Sequence, residues 1–325
     1  MRHAFVTGGT GFVGSNIIEC LLADGWRVTA LHRESSNTAR LKAFDVETVS
    51  GVMYEPESML RAMPEEVDAV FHVAGNTSIW RPEIPTQNRD NIDGTSALVN
   101  AAKARGARRF VFTSSWSTYG RTHDVVSEDT PQLGDQNHDN YSRSKLAGER
   151  IVLNSGLDAV IMHPSHILGR FDSGNWSRLI KMVDDGTLPG IPPGAGSFCH
   201  GHEVAKAHIA AVDKAESGAH YLLGGVDTTF LDVLQRAAER LGRKIPSKPV
   251  HPTVFLAVAM FRTFLATFTR KAPTLTTDGA RMVLAHPRIV SDRAVLELGY
   301  VSASLDVMLD DAIGWMRKEG LLNAS

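Results

Sequence analysis

TGGTGFVGSN, residues 7–16, stands between a short apolar run, His3–Val6, and a stretch with apolar residues at Ile17, Ile18, Leu21 and Leu22 that stops near Gly25. The order predicts a buried strand, a tight turn and then a helix. Its glycines have separate tasks. Gly8 permits the turn off the strand, Gly11 lets the backbone approach a diphosphate, and Gly14 lets the helix pack closely. Free N–H groups and the helix dipole at the N-terminus favour an anion. Gly8, Thr10, Gly11, Phe12, Val13 and Gly14 are therefore candidate contacts of a dinucleotide.

Outward from this turn, apolar runs predict strands at Arg27–His32, Val46–Ser50, Ala69–Val73, Arg109–Thr113 and Ala159–His163, with helical patterns between most of them. This alternation implies an α/β fold of the Rossmann type, a doubly wound parallel sheet with its sites at the carboxyl ends of the strands. The second half is less regular. GTLPGIPPGAGS (186–197) reads as a loop, followed by a helix over Glu203–Lys214 and a strand around Ala219–Leu223. The expected division is a dinucleotide-binding domain over 1–165, with a returning helix and strand near 200–224. Residues 166–199 and 225–325 then form a smaller, mostly helical substrate-binding lid.

Composition narrows the function. A chain of 325 residues can bury a large core, and a net charge of −2 offers no nucleic-acid surface. Cys20 and Cys199 make neither a disulfide framework nor a metal site, and His200, His202 and His208 lack zinc geometry, so no metal is expected. The first residues read as a strand rather than a cleavable leader, and a cytoplasmic location is the default. Thr253–Phe268, interrupted by Arg262, is too short to span a bilayer and reads as a packed or substrate-facing helix, with a membrane-surface helix as the alternative.

Tyr141 and Lys145, in NYSRSKLAGE, lie four apart and share one helix face. A free phenol has a pKa of about 10. An adjacent cation stabilises the phenolate, but a shift of roughly 3 units needs about 4 kcal/mol, which one lysine supplies only with help from a second cation such as an oxidised nicotinamide. The pair is a candidate proton donor.

TGGTGFVG, HVAG (72–75), NIDGT (91–95), FTSSWSTYG (112–120) and the Tyr141/Lys145 pair occur in the order of the extended short-chain dehydrogenases/reductases. The resemblance covers nearly the whole chain, through SDRAVLELGY (291–300), and FHVAGNTSIW is most similar to the dihydroflavonol-4-reductase-like group. It implies Tyr141 as general acid/base, Lys145 as its partner and a ribose contact, and Ser115, rather than Ser114, as donor to the substrate oxygen. It implies further that Val73, Ala74, Gly75, Asn91, Pro164 and Ser165 lie at the cofactor, with Asn91 bracing backbone. Many relatives dimerise, so a homodimer is expected on resemblance alone. The family's usual Gly-Asp-Leu after the third strand is Gly51-Val52-Met53 here.

The end of the second strand reads LHRESSNTAR. Where an NAD site carries an acid, His32 and Arg33 stand, with Ser36 beyond. A guanidinium can grip a 2′-phosphate, so NADP is expected, with NAD as the alternative. Trp116 and Ser117 occupy the positions of a dehydratase's Asp-Glu pair, which disfavours water loss. Trp80, Trp116, Phe171 and Trp176, with His166, are candidate walls for an apolar or aromatic carbonyl or alcohol. His163 and His166 flank Pro164 and either approach the nicotinamide or pack; Arg170 is a candidate for a polar substrate group. The expected activity is a reversible NADPH-dependent ketone or aldehyde reductase. A nucleotide-sugar epimerase and a non-catalytic dinucleotide binder are the alternatives.

Overall fold

The structure, a computed structural model, describes residues 1–323. Its centre is a seven-stranded sheet. Strands β1 (His3–Thr7), β2 (Arg27–His32), β3 (Glu47–Ser50), β4 (Ala69–His72) and β5 (Arg109–Thr113) are joined by Ala159–Pro164 and His220–Leu223. Every pairing is parallel, in the spatial order β3-β2-β1-β4-β5 followed by Ala159–Pro164 and His220–Leu223. β1 has β2 on one side and β4 on the other, so the chain direction of winding reverses there. That crevice is where such sheets bind ligands.

The central strands are buried on both faces, which explains their unbroken apolar runs. One face packs Ile17, Ile18 and Leu21 of helix α1 (Phe12–Ala23) with Val204, Ala207 and Ala211 of the Gly201–Lys214 helix. The other packs Leu98 and Ala102 of the Gly94–Ala104 helix with Met59, and Val152 of the Asn140–Leu153 helix. A smaller core encloses Trp176, Ile180, Phe198, Phe230, Leu309 and Ile313, over a three-stranded sheet of Val226–Thr229, Ala195–His200 and His166–Leu168.

The apolar segment of the C-terminal half departs from expectation. It is one uninterrupted 18-residue helix, Pro252–Thr269, with Arg262 inside it. Only Ala259 and Ala266 are buried, so it packs along one narrow face and leaves the rest of its apolar surface exposed. Among the described residues it is the one helix long and apolar enough to cross a bilayer, by length and composition alone.

Candidate active site

The glycine turn meets β4 at the crevice. Gly8 adopts φ 75°, and a Cβ there would come 2.6 Å from Ala74 N. A Cβ on Gly14 would come 2.2 Å from Gly8 O, so the helix needs Gly14 to sit against the turn rather than against the sheet. Gly11 is exposed, and a Cβ there would meet only Gly8 O, at 3.3 Å. No side chain caps α1. Phe12 turns its ring to the Gly201 backbone, and Val13 packs on the core, leaving their N–H groups at the open helix end. Thr10 is partly exposed beside them. A close backbone approach and an uncapped N-terminus suit a dinucleotide diphosphate.

A buried chain of hydrogen bonds fixes the opposite wall. Thr7 Oγ1 contacts His72 Nδ1 at 2.9 Å and accepts from Ala74 N, while His72 Nε2 meets Thr95 Oγ1 at 2.9 Å. Burial drives the His72 pKa down to about 3, so the imidazole is a neutral strut. Thr95 Oγ1 donates to Asn91 O, which lies in a π-helical turn, Arg89–Asp93. Such turns often mark functional sites. The Asn91 amide accepts from Asn76 N at 2.7 Å and donates to Asn76 O and Ser144 Oγ. Ser144 Oγ in turn donates to Tyr141 O. Asn91 thus braces the loop after β4 to the helix carrying Tyr141. Val73 and Ala74 are partly exposed on that loop, and Gly75 is exposed.

Asp139 caps the Asn140–Leu153 helix through Ser142 N, and Arg121 pairs with its other oxygen at 2.8 Å. The helix then presents Tyr141, Lys145 and Glu149 at i, i+4 and i+8. Ser115 Oγ lies close enough to the Tyr141 phenol to favour its charged form. Ser114 points elsewhere, donating to Glu149. The structure therefore separates two serines that sequence could confuse.

Lys145 Nζ lies over the Phe112 ring, 4.1 Å from its centroid, and a Cβ at Gly75 would be 3.8 Å from it. Burial lowers the ammonium pKa to about 8, against an upward pull from Glu149. The expected acidification of the phenol is not what these side chains produce. Burial raises the Tyr141 pKa, the nearby Ser115 side chain opposes the rise, and Lys145 is not among the causes. With no second cation, the protein alone holds Tyr141 in its protonated form.

Pro164 is buried at a strand end, and Ser165 Oγ donates to Ser197 O at 2.7 Å, tying the two sheets together. Arg33 is exposed at the end of β2; its carbonyl accepts from Ser36 N, closing a tight turn. Trp116, Ser165 and His166 line a narrow cleft with Ala285, His286 and Pro287. Trp80 lines a separate cleft of about 380 Å³ with Arg81, Asn140, Arg143 and Asp278.

Three substrate candidates need correction. Trp176 is a core residue, its ring 4.8 Å from those of both Phe198 and Phe230. Phe171 is buried against Phe44 and Trp315. Arg170 bonds Glu19 at 3.2 Å and Asp311 at 2.7 Å, which clamps α1 to the Leu305–Lys318 helix. His166 does reach the cleft, yet it stacks on Phe198 at 5.4 Å.

Sequence did not foresee a cluster of Glu149, His163 and His220 under the Ser114 strand end, with ligand atoms within 4.8 Å of one another. His163 Nε2 bonds His220 Nδ1 at 3.0 Å, and their rings stack, so these nitrogens are engaged with each other. Burial lowers the pKa to about 3 at His163 and to about 4 at His220. His200, His202 and His208 take separate partners: Asp311, Cys20 and Thr113.

The model of the NAD dependent epimerase/dehydratase family matches residues 4–224. "Sterol demethylase protein B" of Methylococcus capsulatus is 30% identical over 331 residues, 98% of this chain and 99% of that protein. A Synechocystis sp. protein carrying a dihydroflavonol 4-reductase name is 27% identical, over 97% of this chain and 95% of its own. The crystal structure of gox2253 superposes with a TM-score of 0.85 at 28% identity, covering 99% of this chain and all of that one. The chain belongs to the NAD dependent epimerase/dehydratase family, in the extended short-chain dehydrogenase/reductase group.

Proposed function

We propose that this protein is an NADPH-dependent reductase of a ketone or aldehyde with an apolar or aromatic body, running reversibly as an alcohol dehydrogenase. The observation that carries it is the row Ser115–Tyr141–Lys145 beside the uncapped glycine turn. A bound nicotinamide dinucleotide supplies the hydride. Tyr141 holds a proton at its phenol oxygen and donates it to the carbonyl oxygen. Ser115 hydrogen-bonds the same oxygen and spreads its developing charge. Lys145, facing Gly75, is positioned for ribose hydroxyls and returns a proton toward Tyr141.

Residues 166–199 and 225–325 form the substrate side in this reading, with Trp116 and His166 lining a crevice that must widen to admit a substrate. The names of the two relatives, a sterol and a flavonoid one, favour a multi-ring substrate over a sugar nucleotide. Trp116 and Ser117 leave no carboxylates beside Ser115 for water loss.

Arg33 supports NADPH over NADH, since its exposed guanidinium ends β2 where an acid would hold a 2′-hydroxyl. Arg33→Asp should raise KM for NADPH at least ten-fold while leaving that for NADH within two-fold or lowering it. Equal changes in steady-state assays with both cofactors would remove the preference.

The rate should also carry Lys145's signature. Its pKa of about 8 means the amine is charged below that pH and neutral above it. Carbonyl reduction should therefore hold level from pH 6 to 7.5 and fall as pH rises through 8. A profile flat to pH 10 would disagree. Mixing the protein with NADPH and a panel of aromatic aldehydes and ketones, and following cofactor absorbance, tests the activity itself. Loss of absorbance supports the reading; none across the panel, with epimerisation of a nucleotide sugar instead, refutes it.

A further inference from the structure

The Pro252–Thr269 helix has two apolar faces, and only one is used. Ala259 and Ala266 are buried on the side that meets the Thr277–Leu284 helix, where Thr277 N donates to Thr263 Oγ1 at 2.9 Å. On the other side Val254, Val258, Phe261, Leu265 and Phe268 recur at spacings of four and three, a single stripe along the helix. Met260 and Phe264 widen it. The least exposed of the seven is Val258 at 41%, and Phe268 reaches 71%. Soluble surfaces scatter single apolar residues, but a contiguous stripe marks a contact surface.

Charge identifies the contact. Arg243, Lys244, Lys248, Arg262, Arg270 and Lys271 fall between residues 242 and 277, where the sequence has no Asp or Glu. Over the whole chain, acids outnumber Lys and Arg by 36 to 34. Arg243 is neutralised by Asp184 at 3.1 Å, while Arg270 and Lys271 stand exposed at the helix end. An apolar stripe with Arg262 on its helix and Arg270 and Lys271 at the helix end, in a segment of sequence without Asp or Glu, complements lipid tails beneath anionic headgroups.

We propose that this helix docks the protein on the surface of an anionic phospholipid bilayer, lying in the headgroup plane with its free stripe inserted. Eighteen residues extend about 27 Å, near the roughly 30 Å hydrocarbon thickness. Spanning is disfavoured because Arg262 sits mid-helix and one face stays bonded to Thr277–Leu284. That neighbouring helix runs on into Ala285–Pro287, a wall of the cleft with Trp116 and His166. At its start, Asp278 bonds Arg81 beside Trp80. Docking would thus hold the cleft one helix away from the lipid phase. The docking itself stands on the helix surface and not on the reductase reading.

Sedimentation of the full chain with vesicles tests it. Equimolar phosphatidylglycerol and phosphatidylcholine at 0.1 M salt should carry down most of the protein. Pure phosphatidylcholine, or 0.5 M salt, should reduce the bound fraction several-fold. The double variant F261D/F264D, with an unchanged thermal midpoint, should bind the anionic vesicles at least ten-fold more weakly. Wild-type protein left in the supernatant would overturn the proposal, as would a variant that sediments equally. It would also fall if ultracentrifugation found a dimer that the variant dissociates without any vesicle binding, since the stripe would then join two copies of this chain.

Discussion

Tyr141→Phe is expected to lower kcat for carbonyl reduction by 10³-fold or more while NADPH binding changes little. The substitution removes one oxygen from a partly exposed ring and leaves the helix around it intact, since Asp139 still caps it and Asn91 still braces it through Ser144. What is lost is the proton for the forming alkoxide. General acid catalysis contributes roughly 10² to 10⁴ in rate, or about 3–5 kcal/mol of barrier at 1.36 kcal/mol per decade. Ser115 cannot compensate, because an aliphatic hydroxyl is a far weaker acid than a phenol: it can hydrogen-bond the forming alkoxide but not hand over its proton. NADPH fluorescence titration alongside initial rates checks both halves. Activity within three-fold of wild type would remove Tyr141 from the chemistry.

Gly14→Ala should weaken dinucleotide binding at least a hundred-fold and destabilise the fold. The new Cβ would start 2.2 Å from Gly8 O and 2.9 Å from Gly9 Cα, and both are backbone that no rotamer can relieve. Either α1 moves away from the turn or the turn opens. Overpacking of this kind costs about 1–3 kcal/mol. In a chain this long that corresponds to a few degrees in Tm. The larger effect falls on the cofactor, because displaced N–H groups no longer converge on a diphosphate. NADPH affinity should drop at least a hundred-fold. Calorimetry and a thermal melt would show both, and unaltered affinity would contradict this account of the turn.

The parallel sheet was legible because its strands are buried on both faces. β1, β2 and β5 read as apolar runs, and their bounds fall within a residue of those found. The glycine turn was legible for a local reason, since strand, turn and helix are contiguous. The three-stranded sheet was not. His166–Leu168 and Val226–Thr229 are only three and four residues long and half exposed, so they carry no run to detect.

Side-chain roles followed the same division. Tyr141 and Lys145 share one helix face and Ser115 follows one strand end, positions where spacing is informative. Arg170 misled because its partners, Glu19 and Asp311, lie over 140 residues away in either direction. Trp176 had a signal that could have been used. Trp176, Leu179, Ile180 and Val183 repeat at i, i+3, i+4 and i+7, the core face of a helix rather than a loop over a pocket. The Glu149/His163/His220 cluster exists only because adjacent parallel strands bring Leu222 beside His163. The direction of the Tyr141 pKa was out of reach for another reason: spacing gives a neighbour's charge but not the burial that outweighs it.

Isotope transfer reaches the proposed activity most directly. With an aromatic ketone and NADPH deuterated at the transferable position, the alcohol is expected to gain one deuterium at the carbinol carbon for each cofactor oxidised. Mass spectrometry and absorbance give the two numbers. Substrate inverted at a stereocentre, with the cofactor neither consumed nor stripped of its label, would contradict the reductase and favour an epimerase.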